Sequence, residues 1–448
     1  MRALERRISG WGRFPQSLCN LYRPERFREV LSVLAPERKG GPYIARGYGR
    51  SYGDASLNQG HGVVLMERID RFLFFEPESG LLRCEAGVQL AEIIRVFLPR
   101  GWFLPVTPGT RFCSVAACVA CDVHGKNHHK DGAFSNFVEE VSLLVASGDV
   151  VSCSKTGNPD LFWATVGGMG LTGIILEVTL RLMPVKSSHI MVDYVRTRNL
   201  AETLAHFHEW DNHYTYSVAW LDCLARGSSL GRGLLMMGNH ATGGESSDLE
   251  FHQGRSVTVP FCPPVWVLNK KSAGLFNLLY HAGHKSRDRV LANCDEYFYP
   301  LDKVLFWNRL YGRNGFVQYQ CVIPPADAGE VITQLLLRIG KTGASPFLAV
   351  LKRMGDRSGG LLSFPIPGYT LAMDFPLKNG VLDLLTRLDE VVLAAGGRIY
   401  LAKDARLSPG HFARMYPEAG QWQSIKKRID PGGVFSSDLG RRLGLGGC

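Results

Sequence analysis

Ala45-Arg-Gly-Tyr-Gly-Arg-Ser-Tyr-Gly-Asp54 is the stretch on which the reading turns. Glycines at 47, 49 and 53 let the backbone turn its amides inward, and Arg50 and Ser51 add side-chain donors. Such a loop is an anion nest of the kind a buried pyrophosphate requires. Taken alone, the loop reads equally well as two tight surface turns. The flanking sequence has to decide.

Around the loop, residues from about 24 to 185 alternate β-rich runs with two helices. The runs fall at 63–66, 82–85, 141–145 and 174–182, and the helices at 24–34 and 89–98. In the second helix Leu90, Ile93, Ile94 and Phe97 recur at helical spacing. From about 188 the pattern changes to broader strands and amphipathic helices, such as 331–339 and 381–393, in the manner of an α+β domain. Residues 183–188 read as a short connection between the two regimes.

Two other motifs compete for the chemistry. Gly168-Met-Gly-Leu-Thr-Gly173 matches the G-x-G-x-x-G dinucleotide fingerprint letter by letter, but that fingerprint needs a strand before it and a helix after it. Here the helical run 160–165 precedes and the β-branched run 174–180 follows, so the order is reversed. Cys113-x4-Cys118-x2-Cys121 with Cys153 has the spacing of an iron–sulfur site, and with His124, His128 and His129 it could be drawn as a zinc site. The intervening residues are small and apolar, which suits a segment packed tightly under a cofactor, with cysteine as a small buried hydrophobe. No metal is expected.

Composition bounds the rest. The chain has 448 residues, 45% hydrophobic and 21% charged, which is long enough for two domains of ordinary size. No apolar run reaches membrane-spanning length, and eleven cysteines scattered between Cys19 and Cys448 do not form a disulfide framework. The expectation is a cytoplasmic protein, at most peripheral at the inner face of the membrane. The net charge of +10 is spread along the chain without an aromatic-interleaved basic block, so no nucleic-acid partner is expected. An anionic substrate or an acidic membrane surface accounts for the charge equally well.

The glycine loop, Pro108-Gly-Thr110, Ala120-Cys-Asp-Val-His-Gly-Lys-Asn-His-His129 and Leu161-Phe-Trp-Ala-Thr-Val-Gly-Gly168 resemble the vanillyl-alcohol-oxidase (PCMH-type) FAD-linked oxidases. Within that superfamily the likeness is to the oxidase subunits of decaprenylphosphoryl-β-D-ribose 2'-epimerases. It continues through Gln318-Tyr-Gln320, Phe347-Leu-Ala-Val-Leu-Lys352, Ser363-Phe-Pro-Ile-Pro367, Asp374-Phe-Pro376, Ala402-Lys-Asp404 and Met415-Tyr-Pro417, and is weakest over 225–310. The resemblance implies an α+β fold with a two-subdomain PCMH-type FAD-binding module at 10–185. A substrate-binding domain with a mostly antiparallel sheet follows at 190–404. Residues 405–448 return to the FAD module.

The same resemblance puts Gly47, Gly49, Arg50, Ser51, Tyr52, Pro108, Gly109, Thr110, Cys121, His124, Gly125, Asn127 and Ile174 at flavin contacts. Tyr52 stands where several relatives carry the histidine that links the flavin covalently, so non-covalent FAD is expected. Lys403 falls nearest the reacting hydroxyl, with His124 and Lys126 as further catalytic groups, and Trp220, Gln318, Gln320, Lys352 and Ala372 shape the substrate pocket. The sequence departs from the pattern at Ala116 and Ala117, where two glycines are expected, at Ala372, where a cysteine is, and at Thr370, where an asparagine is.

The activity implied is oxidation of a sugar's secondary hydroxyl by hydride transfer to flavin N5, with the 2'-hydroxyl of a polyprenyl-phosphoryl pentofuranose as substrate. A separate NAD(P)H-dependent reductase would take the keto sugar on toward cell wall polysaccharide. Rival readings are a D-arabinono-1,4-lactone (aldonolactone) or alditol oxidase acting on a free sugar, and a non-catalytic basic binding protein on the same fold. Residues 225–295 mix Arg226, Arg232, His252, Arg255, Lys270, Lys271, Lys285 and Arg287 with Phe261, Trp266, Leu268, Phe276 and Leu279. They read as an ordinary loop-rich insertion or as a lid that meets an anionic membrane.

Overall fold

The computed structural model describes residues 2–34, 41–264, 269–342 and 346–446; Trp266, Leu268 and Cys448 lie outside them. Three sheets carry the chain. In the first, strands Leu4–Ser9, Gln16–Tyr22, Gly62–Leu65 and Tyr43–Arg46 follow one another in space, the first pair antiparallel and the others parallel. Ile44, Val63 and Val64 are fully buried, as the apolar runs of parallel strands must be when both faces are covered.

The second sheet orders Phe72–Glu76, Leu81–Glu85, Ile174–Arg181, Val138–Leu144 and Val150–Ser154, antiparallel throughout. Leu176, Val178 and Leu180 face inward while Glu177, Thr179 and Arg181 do not, the two-residue alternation of a half-covered strand. Helix Leu90–Phe97 buries the four apolar residues whose spacing announced it. The helix expected at 24–34 shortens to Phe27–Leu31 and a single 3₁₀ turn, Ser32–Leu34. Only Val30 and Val33 are buried there, too narrow an apolar face to propagate a helix.

The third sheet has eight strands in the order Arg287–Asn293, His189–Thr197, Gly233–His240, Tyr216–Leu221, Ala349–Met354, Gly368–Pro376, Phe316–Ile323 and Arg398–Ile399, all antiparallel. Helices Leu200–Trp210, Ala328–Gly340 and Val381–Ala394 cover one face. Leu335, Leu336 and Ile339 of one helix and Leu384, Leu385 and Leu388 of another fill the core beneath them.

This sheet corrects the expected insertion at 225–295. Gly233–His240 is an interior strand between two others, and Arg287–Asn293 is an edge strand, so both are part of the sheet and only residues 241–286 lie between them. The misreading has a cause. Gly233 and Gly238 interrupt the apolar run, yet both are there for close approach, since a Cβ on Gly238 would sit 2.7 Å from Ile190 Cγ2.

After the third sheet, helices Pro409–Met415, Ala419–Ile429 and Asp438–Leu443 run back to the first two. Trp422 Nε1 donates to the Ala164 carbonyl at 2.8 Å, and the Tyr43 amide donates to the Val434 carbonyl at 2.7 Å. Arg442 reaches Asp54 at 2.7 Å and Asp404 at 2.9 Å, tying the end of the glycine loop and the turn after the last strand to the tail.

Candidate active site

One elongated cavity lies where the three sheets meet, and the glycine loop forms its floor. Leaving strand Tyr43–Arg46, the loop holds Gly49 at φ +65, a conformation only glycine adopts freely. Among the described residues no protein acceptor takes the N–H of Gly47, Gly49, Arg50 or Ser51. These free amides on the cavity wall are what the nest reading requires. The Arg50 guanidinium is held 4.2 Å from the Trp11 ring centre and 5.0 Å from that of Phe112, and its buried Nε has no partner among the described residues. An anionic ligand would complete both.

Close approach explains the remaining glycine. A Cβ at Gly53 would fall 1.7 Å from the Asp404 carbonyl oxygen, and the Tyr52 amide donates to the Ala402 carbonyl at 3.0 Å. The loop is thereby laced to the Ala402-Lys403-Asp404 turn. Opposite it, Gly109 leaves open space, and Ala116, Ala117, Ala120, Met169 and Ile175 supply an apolar wall suited to a flat ring system.

The far wall is one face of three neighbouring strands. Gln318 pairs with Asp374 and Gln320 with Ala372, while Val350 pairs with Ala372 and Lys352 with Thr370. Alternation then puts Gln318, Gln320, Val350, Lys352 and Ala372 on the cavity. Gln320 Nε2 donates to His124 Nε2 at 2.9 Å, which leaves the ring proton on Nδ1, an atom with no partner among the described residues. Burial, with Lys352 nearby, pushes His124 well below its ordinary value, so the imidazole is neutral.

Lys403 follows strand Arg398–Ile399, with its Nζ 3.7 Å above the centre of the Tyr52 ring. Enclosure by protein lowers it to about 8, against the opposing pull of Cys113, Asp374 and Cys121. Enclosure and then the charge of Lys403 bring Lys352 to about 7. Lys126 is also brought to about 7, by enclosure and then Lys352. Two of these amines meet the cavity, each poised to change charge near neutral pH.

Most residues singled out from the sequence gather here. Gly47, Gly49, Arg50, Ser51, Tyr52, Pro108, Gly109, Thr110, Cys121 and His124 line the cavity, as do Gln318, Gln320, Lys352, Ala372 and Lys403. Five do not. Ile174 is fully buried inside its sheet, and the next residue, Ile175, takes the wall. Asn127 donates to the Pro105 carbonyl at 2.7 Å and, with Gly125, shapes the loop behind the wall. Lys126 donates to the Tyr297 carbonyl and lies 3.9 Å from that ring. Trp220 sits one strand further out, 4.7 Å from Tyr280 of helix Lys270–Gly283, which covers it.

Sequence reasoning missed two carboxylates. Asp374 accepts from Gln318 Nε2 at 2.5 Å and from Tyr311 Oη at 3.4 Å, and burial pushes it up to about 7. Its position two residues after Ala372 was the available signal. Asp122, at φ +40, accepts from Ser363 Oγ at 2.6 Å and from Ser358, and so braces the backbone between Cys121 and His124. Cys113 lines the cavity while Cys118 is buried in the core beneath it.

A free-amide nest beside an unpaired arginine, a flat apolar slot and a wall of poised amines define an FAD-linked oxidoreductase. A family profile described as an FAD binding domain matches residues 21–154, and one described as D-arabinono-1,4-lactone oxidase matches residues 372–443. Decaprenylphosphoryl-β-D-ribose oxidase from Mycolicibacterium smegmatis is 38% identical over 98% of each chain. D-arabinono-1,4-lactone oxidase from Yarrowia lipolytica is 28% identical over 44% of this chain and 37% of its own, and human Δ(24)-sterol reductase 23% over 48% and 43%. The chain belongs to the PCMH-type FAD-linked oxidase family. Its cofactor is FAD.

Tyr52 lines the cavity with its ring packed edge-on against Phe316 at 5.5 Å. A phenol held far above its ordinary pKa by burial is not a nucleophile. Acid precipitation of the purified protein should therefore release all FAD to the supernatant; yellow flavin retained in the washed pellet would contradict this.

Proposed function

We propose that the chain oxidises the 2'-hydroxyl of a polyprenyl-phosphoryl pentofuranose, passing hydride to flavin N5 and releasing a keto sugar to a separate NAD(P)H-dependent reductase. The observation that carries it is the amine and amide wall opposite the flavin slot. FAD, when bound, supplies the two-electron acceptor. The chain's own residues manage the proton and the orientation. Lys403, lowered to about 8, takes the hydroxyl proton on Nζ as the neutral amine. Neutral His124 offers Nδ1–H as a donor without adding charge, and Gln320 holds its ring. Lys352 faces the same cavity from the neighbouring strand, and the substrate's phosphate would restore on its Nζ the charge that enclosure disfavours. Ala372 leaves apolar space where a polar side chain would compete for the sugar.

Support for the lipid-linked substrate is the near full-length likeness to the mycobacterial enzyme. The match of residues 372–443 to D-arabinono-1,4-lactone oxidase favours a free-sugar reading instead, and one experiment separates the two. The FAD-loaded protein is mixed anaerobically with polyprenyl-phosphoryl ribose, with an aldonolactone or with an alditol. Rapid bleaching of the flavin absorbance by the first alone is expected. Bleaching by the lactone or alditol alone would move the assignment to a free sugar, and bleaching by none would leave a binding protein.

A further inference from the structure

Helix Lys270–Gly283 buries only Ala273 and Asn277 and turns Leu275, Leu278 and Leu279 outward, 58%, 51% and 62% exposed. Spaced by three and four residues, the leucines share one face, which a helix of a globular protein ordinarily hides against the core. An adjoining face of the helix packs on the third sheet beside the cavity without lining it. Phe276 packs on Phe347 at 4.9 Å, next in the chain to the cavity-lining Leu348, and Tyr280 covers Trp220. Elsewhere on the rim Trp307 lines the wall while its neighbour Phe306 is exposed. Val257, exposed too, is held against Val304 in a short parallel strand pair, and Arg309 lies 4.3 Å over the Phe306 ring.

Charge accompanies this apolar rim. Residues 251–287 contain no Asp or Glu, but hold Arg255, Lys270, Lys271, Lys285 and Arg287. We propose that this rim docks the protein on an anionic lipid bilayer, with Leu275, Leu278 and Leu279 below the headgroups and Lys270 and Lys271 against lipid phosphates. Fourteen residues span about 21 Å, short of the roughly 30 Å hydrocarbon core, so the helix lies in the interface plane. A second copy of the chain carries the same excess of basic side chains over 251–287, so charge complementarity favours an anionic partner over a copy. The proposal rests on the lipid-linked substrate reading: docked this way, a polyprenyl tail stays in the bilayer while its sugar enters the cavity.

Flotation of the FAD-loaded full chain with phosphatidylcholine vesicles, with and without phosphatidylglycerol, tests it. The wild type should float with the anionic vesicles and lose them as salt is raised. L275Q/L278Q/L279Q should remain at the bottom, and K270Q/K271Q should bind roughly 25-fold more weakly, about fivefold per lysine. Both variants should keep the flavin spectrum, the melting temperature and turnover of a short-chain, water-soluble prenyl-phosphoryl pentose. A wild type that ignores anionic vesicles at low salt, or a triple variant that floats like it, overturns the proposal. So does a wild-type dimer that the triple variant splits, which would make the face a contact between copies. Flotation as expected with no turnover of the short-chain substrate would sink the substrate reading and leave the docking surface standing.

Discussion

Replacing Lys403 with alanine is expected to slow reduction of the bound flavin by about 100- to 10,000-fold, the range for a positioned proton acceptor. The amine lies where the glycine loop meets the substrate strands, above the Tyr52 ring and facing the cavity. Its loss removes a transition-state interaction, so FAD binding and melting temperature should stay near wild type. Because the working form is the neutral amine, flavin reduction in the wild type should rise with pH through about 8 and then level. K403R keeps a cation but cannot accept a proton near neutral pH, and should recover little. Stopped-flow reduction across pH reads all three. A rate that falls through 8, or full recovery by arginine, would make the residue an electrostatic clamp.

The second large effect is on stability. Arg442 lies between Asp54 and Asp404, whose side chains are 5% and 1% exposed. R442A takes from Asp54 its paired cation and from Asp404 the guanidinium 2.9 Å away, a loss that costs about 3–5 kcal/mol when one partner of a buried pair is removed. Burial already raises Asp54 in the folded protein, with Arg442 opposing, and the deletion raises it further. The sign follows from linkage. A folded carboxyl pKa above the unfolded value of about 4 favours folding only below that value, so the variant's deficit grows as pH rises from there. Denaturant melts at pH 5 and pH 8 should show the larger gap at pH 8. Since the same arginine ties the glycine loop to the Lys403 turn, FAD affinity should fall with it. Equal stability of R442A and wild type at pH 8 would remove the tail from the account of the site.

Much of this site was legible in the chain because its chemistry is local. Gly47 to Ser51 form the nest within five residues, and the free amides need nothing from elsewhere. The alternation that sets Gln318 and Gln320, or Val350 and Lys352, on one face is a property of any strand, and the helix at 90–97 was announced by four apolar residues. The reversed order around Gly168–Gly173 excluded a Rossmann site for the same reason, since Pro159–Thr165 and Ile174–Arg181 are set by short-range pattern.

Other features belong to the packing alone. Asp374 becomes a site residue only because its strand pairs Gln318 in register, and Trp220 leaves the pocket only because Tyr280 comes to lie on it. Strand Gly233–His240 could not be told from a loop until Ile190 was seen against Gly238. Asp54 meets Asp404 and Arg442 across hundreds of residues of sequence. The division has one physical reason. A backbone turn or a strand's alternation is decided by neighbours a few residues apart, whereas burial, and with it the lowered lysines and the raised carboxyl groups, is a sum over segments that only the closed fold brings together.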